Sequence, residues 1–212
     1  GNSTLNVYGT ITGCETLGKT FYGAFNAVGG AISMENHATV NIYGTITNCT
    51  TVTYGGAIGM FGITPLHTGY SANGFPTLAA NLYLKSGCSI SNCTGTHGGV
   101  STQPYAAGGA VFCDFLGSVV MEDGATISNF TESNYFTVGV GICNHGTLNM
   151  TGGTIESCVS RSGSNGAAIY NDGTATVSGN SIIQNCTVNG GAGGAIFNTG
   201  TDATVTIKDN AL

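Results

Sequence analysis

Asp114, His145 and Asp172 are the residues of this chain best placed for acid–base chemistry. Each stands at the same point of a repeating unit, after Cys113, Asn144 and Asn171. If the units stack, the three side chains become neighbours on consecutive layers, at a spacing suited to passing a proton. Glu35, Phe61 and Thr199 hold the same place in other units. The same residues carry a plainer explanation. Asn144-His145-Gly146, Asn171-Asp172-Gly173 and Asn198-Thr199-Gly200 are all Asn-x-Gly corners, where polar residues belong whatever the function. The adjacent acidic pair Glu122-Asp123 precedes Gly124, also a corner, and the only arginine, Arg161, lies in another loop. The trio is therefore a bet for catalysis and not a diagnosis. Metal-type Cys-x-x-Cys spacing is absent, so neither a metal site nor a cofactor is expected.

A second set of residues suits binding. Phe21, Tyr22, Tyr54, Tyr105, Tyr135 and Phe136 fall in loops of unequal length, mostly after one strand of the unit, and should converge on one edge as an aromatic ridge. Rings on loops held by a rigid scaffold stack on sugars and anchor protein partners. The competing role is to fold back and cover the scaffold. Longer insertions fall near residues 61–79, which hold His67, Tyr70 and Phe75, and near residues 95–107.

What would position these residues is a repeat. Gly29-Gly30-Ala31-Ile32, Gly55-Gly56-Ala57-Ile58, Gly108-Gly109-Ala110-Val111, Gly166-Ala167-Ala168-Ile169 and Gly193-Gly194-Ala195-Ile196 are one motif, and Gly139-Val140-Gly141-Ile142 is a degenerate copy. The spacing is roughly 26 to 31 residues with one double-length gap, which marks a solenoid. Each unit has three short apolar runs. The Gly-Ala-Ile run comes first. The second alternates, as in Val40/Ile42, Leu82/Leu84 and Leu148/Met150, the mark of a strand with one buried face. The third pairs Ile with an apolar residue three positions on, as in Ile46/Cys49, Ile90/Cys93 and Ile127/Phe130. A spacing of three breaks alternation, so the chain must bend between the two.

Three short strands per turn with Gly- and Asn-bearing corners predict an all-β fold: a right-handed, single-stranded parallel β-helix of about seven turns. Residues 1–212 form one domain of this kind, expected to be a fragment of a longer solenoid because the pattern opens and stops in mid-repeat. Stacking should line Asn144, Asn171 and Asn198 into an internal amide ladder, continued by Cys113, Met60 and Met34. Cys14, Cys49, Cys93, Cys158 and Cys186 share one buried column, as stacked free thiols or, alternatively, as vertical disulfides between turns.

Composition narrows function. Charged residues are 7% of the chain and the net charge is −6, which argues against a nucleic-acid-binding surface. No apolar run approaches a membrane span, so this segment should not insert in a bilayer. An excess of Gly, Thr, Ser and Asn fits an extracellular or cell-surface protein. Asn48-Cys49-Thr50, Asn92-Cys93-Thr94, Asn129-Phe130-Thr131 and Asn185-Cys186-Thr187 match the N-glycosylation pattern, but the repeat explains them without glycans. Outward hydroxyl pairs flank the buried Ile of the third run (Thr10/Thr12, Thr45/Thr47, Ser89/Ser91, Thr126/Ser128), an array like an ice-binding face that Glu156 and Gln184 interrupt.

The combination Gly-Gly-Ala-Ile with Ile-x-Asn-Cys-Thr resembles the repeats of bacterial parallel β-helix surface proteins, above all the polymorphic outer membrane protein and adhesin-like repeat families. Ile196-Phe197-Asn198 fits their pattern; their Phe-x-x-Asn motif is replaced here by Ile-x-Asn-Cys or Ile-x-Asn-Phe. The resemblance implies an exported, adhesive module that binds a surface glycan or protein, or self-associates through its ends into a filament. Pectate-lyase-like enzymes share the fold, so a polysaccharide lyase or glycoside hydrolase is the alternative function, and an ice-binding solenoid is the second alternative.

Overall fold

In the computed structural model the chain winds into a parallel β-helix. The structure describes residues 2–17, 29–35, 37–52, 54–61, 79–95, 106–132, 137–160 and 164–211. Three long sheets run along it, and every pairing between described strands is parallel. Successive rungs occupy successive places in each sheet, so Thr4–Val7 pairs with Thr39–Ile42, and the series continues through Asn81–Leu84, Ser118–Met121, Thr147–Met150 and Thr174–Val177 to Thr204–Ile207. A second sheet carries the Thr-Ile-Thr strands from Thr10–Thr12 to Ile182–Gln184. The third carries the Gly-Ala-Ile strands Ile32–Glu35, Ile58–Phe61, Val111–Cys113, Ile142–Asn144, Ile169–Asn171 and Ile196–Asn198.

Strict register makes the core a set of columns. Ile46, Ile90, Ile127 and Ile155 lie in register on adjoining rungs and are fully buried, as are Ile58, Val111, Ile142 and Ile169 in the third sheet. Tight corners make the columns possible. Asn48, Asn92, Asn129 and Asn185 have φ of 55°, 53°, 61° and 54°, and Ser157 does the same work at 53°. One left-handed residue after the outward Thr or Ser turns the next side chain inward. Ile46 and Cys49 therefore both point into the core although three residues separate them. Asn tolerates this backbone better than other residues that carry a Cβ. The first glycine of the Gly-Gly-Ala motif is required for a related reason. Gly55 and Gly108 have φ of 67° and 68°, and a Cβ would press on the carbonyl oxygens of Ile58 and Val111.

All eight cysteines are free thiols, with Cys49, Cys93 and Cys158 buried in their column and Cys14 and Cys186 half-buried at its ends.

Glu132 is an exception inside this apolar frame. Its carboxyl is buried, and Oε1 accepts the Gly95 N–H at 3.2 Å. A side chain at Gly109 would meet the same oxygen. Burial pushes the Glu132 carboxyl up to about 7, with the Gly95 N–H offsetting part of the rise. The folded protein therefore prefers the protonated acid. Stability is lost as pH rises from the ordinary value near 4.5 to about 7, and the loss is constant above that.

Three variants check these points. Across that range the loss from Glu132 should reach about 3 kcal/mol. Glu132→Gln should remove it, so that urea unfolding shows the variant gaining on the parent between pH 5 and 8; parallel pH profiles would refute the buried carboxyl. Asn92→Val should cost about 1–2 kcal/mol by the same assay, whereas Asn92→Gly should cost little.

Candidate functional site

The third sheet alternates in a way that separates structure from chemistry. In each three-residue strand the first and third side chains point inward and the middle one points out. The inward third position holds Met34, Met60, Cys113, Asn144, Asn171 and Asn198 in register. The amide ladder is present. Asn144 Nδ2 donates to Asn171 Oδ1 at 2.6 Å, and Asn171 Nδ2 donates to Asn198 Oδ1 at 2.7 Å. Each amide also ties down the corner that follows it: Asn171 Nδ2 reaches the carbonyls of Gly173 at 3.0 Å and Thr204 at 3.1 Å. The ladder stops at Asn144, whose Oδ1 is the one buried side-chain oxygen or nitrogen among the described residues without a partner. The next rung supplies a thiol, Cys113, in place of an amide.

The outward middle position holds Ser33, Gly59, Phe112, Cys143, Tyr170 and Phe197. From Phe112 on, it forms a row of rings. Tyr54 packs on Phe112 with centroids 4.7 Å apart. His145 folds over Cys143 and meets Phe112 edge-on at 5.7 Å, Phe115 at 5.2 Å and Tyr170 at 5.9 Å. Tyr170 then stacks on Phe197 at 5.7 Å. Phe112 is buried, Tyr170 and Phe197 are half-buried, and Phe115 is 43% exposed. One edge of the row is thus open to solvent.

Of the acid–base trio, the structure brings His145 and Asp172 together, with Nδ1 3.3 Å from Oδ2. Asp114 is buried and its Oδ1 accepts the N–H of Phe115 at 2.8 Å, an anchor for its own corner. On the far side of the imidazole lies a group the sequence reading did not single out. Cys143 Sγ is 3.4 Å from His145 Nε2. The signal was available, because residues two apart on a strand share a face.

Thiol, imidazole and carboxylate in a line can form an activated nucleophile. The surroundings here oppose it. A carboxylate only accepts, so Nδ1 carries the proton and Nε2 is left to accept the thiol hydrogen. Cys143 is fully buried. Burial pushes its thiol well above the ordinary value, with Cys113, Asp172 and Asp114 adding to the rise. Reactive cysteines sit in electropositive, partly open places, and this is the opposite. The line Cys143–His145–Asp172 therefore pins the imidazole flat within the ring row. Among the described residues no group of three or more His, Cys, Asp or Glu is arranged to hold a metal ion, and no helix is long and apolar enough to cross a membrane.

Of the expected loop ridge, Tyr54 alone falls among the described residues. Phe21, Tyr22, Tyr105, Tyr135 and Phe136 lie outside the described residues, as do His67, Tyr70 and Phe75. Tyr54 is half-buried against Phe112, and burial pushes its phenol up to about 12, with the charges of Cys143 and Asp114 adding to it. It flanks the strand-borne row. The hydroxyl array of the second sheet is real at Thr47 and Ser91, whose oxygens are 3.2 Å apart, but Gln184 Nε2 bonding Glu156 Oε2 at 2.8 Å replaces it on the last two rungs.

No protein-family model, curated protein or solved structure matches the chain.

Cys143 should resist alkylation by iodoacetamide in the folded protein and react fully once unfolded, as read by peptide mass mapping. Fast labelling of native Cys143 that His145→Ala abolishes would restore the nucleophile reading.

Proposed function

We propose that this chain is a structural and adhesive module of an exported surface protein, and that its ring row is the contact surface for a glycan or protein ligand. One observation carries the proposal. Rings run rung to rung along the outer face of one sheet: Phe112, Tyr170 and Phe197 stand on its strands, and Tyr54, Phe115 and His145 pack against them. The three strand-borne rings are fixed by backbone pairing, so they are already placed when a ligand arrives and little freedom is lost on binding. Flat faces at rung intervals suit sugar rings or aromatic anchors of a partner.

Two further facts support this reading. With charged residues only 7% of the chain and a net charge of −6, contact would rest on stacking and hydrogen bonds more than on ion pairs. The likeness of the repeats to adhesin-like surface proteins points the same way. Cleavage of polysaccharide needs paired carboxylates at working distance; here Asp172 holds the imidazole and Asp114 accepts the N–H of its own corner.

Phe115→Ala and Phe197→Ala should each weaken binding to a glycan array or to the ligand-bearing surface by about 1–3 kcal/mol, with little change in melting temperature. Unchanged binding in both variants, or a large drop in melting temperature with binding intact, would make the row a packing feature and remove the proposal's support.

A further inference from the structure

Cys158 and Cys186 face each other on adjoining rungs. The register fixes this: Glu156 pairs with Gln184 and Val159 with Thr187, which sets the residues between them opposite one another. Ser157 and Asn185, each at positive φ, turn both thiols toward the same side. Cys186 Sγ lies 3.1 Å from the Gln184 carbonyl and 4.0 Å from the Ile155 carbonyl of the neighbouring rung, and Cys158 Sγ donates to the Glu156 carbonyl at 3.6 Å. Paired strands set Cα atoms ~4.8 Å apart, inside the roughly 4.4–6.8 Å that a disulfide spans.

The pair is also asymmetric. Cys158 is buried and Cys186 is half-buried. Coupling between the two thiols lowers Cys186 and raises Cys158. Elsewhere in the molecule burial dominates and lifts the thiols: Cys88 to about 11, Cys93 and Cys113 to about 12. The more open thiol attacks, and a buried neighbour within reach resolves.

We propose that Cys186 and Cys158 are a thiol-exchange site, which a small-molecule disulfide converts into a rung-to-rung cross-link. The Cys186 thiolate attacks one sulfur of the reagent, forming a mixed disulfide and expelling one thiolate. Cys158 then gives up its proton and attacks the Cys186 sulfur, expelling the second. Two protein thiols lose two electrons and two protons, and the reagent disulfide is reduced to two thiols. The product ties together the last two turns of the second sheet.

The test treats the folded wild-type chain with oxidised glutathione at pH 7.5, followed by acid quench and peptide mass mapping. The expected result is a linked pair of peptides carrying Cys158 and Cys186, with a melting temperature some degrees higher than that of the reduced protein. Cys158→Ser should accumulate a stable glutathione adduct on Cys186, whereas Cys186→Ser should yield neither adduct nor cross-link at Cys158. Cys186 should exchange at least about 10-fold faster than the buried Cys93. A lasting adduct on wild-type Cys186, or a Cys186 that does not react, overturns the proposal. The outcome is independent of whether the ring row binds a ligand.

Discussion

Everything in this molecule depends on one constraint: the backbone hydrogen bonds of a parallel ladder set each residue directly over its counterpart one turn away. Side-chain chemistry is thereby sorted into columns. Where the column holds Ile, Val or Leu, like stacks on like and the interior is dry. Where it holds Asn, each amide finds the next amide at bonding distance, so a polar group that would be costly alone becomes part of a chain of satisfied donors and acceptors. The Cys column obeys the same rule, which is why its thiols meet in pairs. A residue that breaks a column is noticed at once. Glu132 beside Gly95 and Asn144 above Cys113 are the two places where the pattern changes type, and they are also where a carboxyl is forced toward its neutral form and an amide oxygen goes unpaired.

The same sorting explains what the candidate site is. The outward column of the third sheet brings together residues chosen for ring shape rather than for charge. His145 sits among Phe112, Phe115 and Tyr170, fixed at one nitrogen by Asp172 and at the other by Cys143. Buried, and with two carboxylates nearby, the thiol keeps its proton. A constellation that on geometry alone resembles a nucleophile is thus, on electrostatics, a clamp for an aromatic side chain.

Much of the fold was legible because its signals are local and repeated. Three apolar runs per unit, the Gly-Gly-Ala corner and the Ile-x-Asn-Cys spacing each state a backbone requirement, and the structure places the amide ladder and the Cys column at the positions those spacings predict. The candidate site was legible only in part. Stacking of His145 over Asp172 followed from the register, but the turn of Asp114 toward its own corner depends on a backbone N–H that no pattern announces. The ring row was missed for a different reason. Its members alternate with buried residues in strands only three residues long, too short for period two to stand out, and large rings drew attention to the loops instead. Cys143 stands outside the Cys column, and only the fold of His145 over it, two residues on, gives it a partner.

The amide ladder sets Asn144, Asn171 and Asn198 at intervals of 27 residues, each bonded to the one after it in the same manner. A segment bounded by two such residues therefore presents at its lower face what it receives at its upper face. A copy of it spliced in tandem would meet matching hydrogen bonds on both sides and lengthen the rod by ~4.8 Å without disturbing what lies beyond. The molecule is in this sense a ruler whose graduations are interchangeable. Gene duplication could set its length one notch at a time, while the spacing of the rings it displays stays the same.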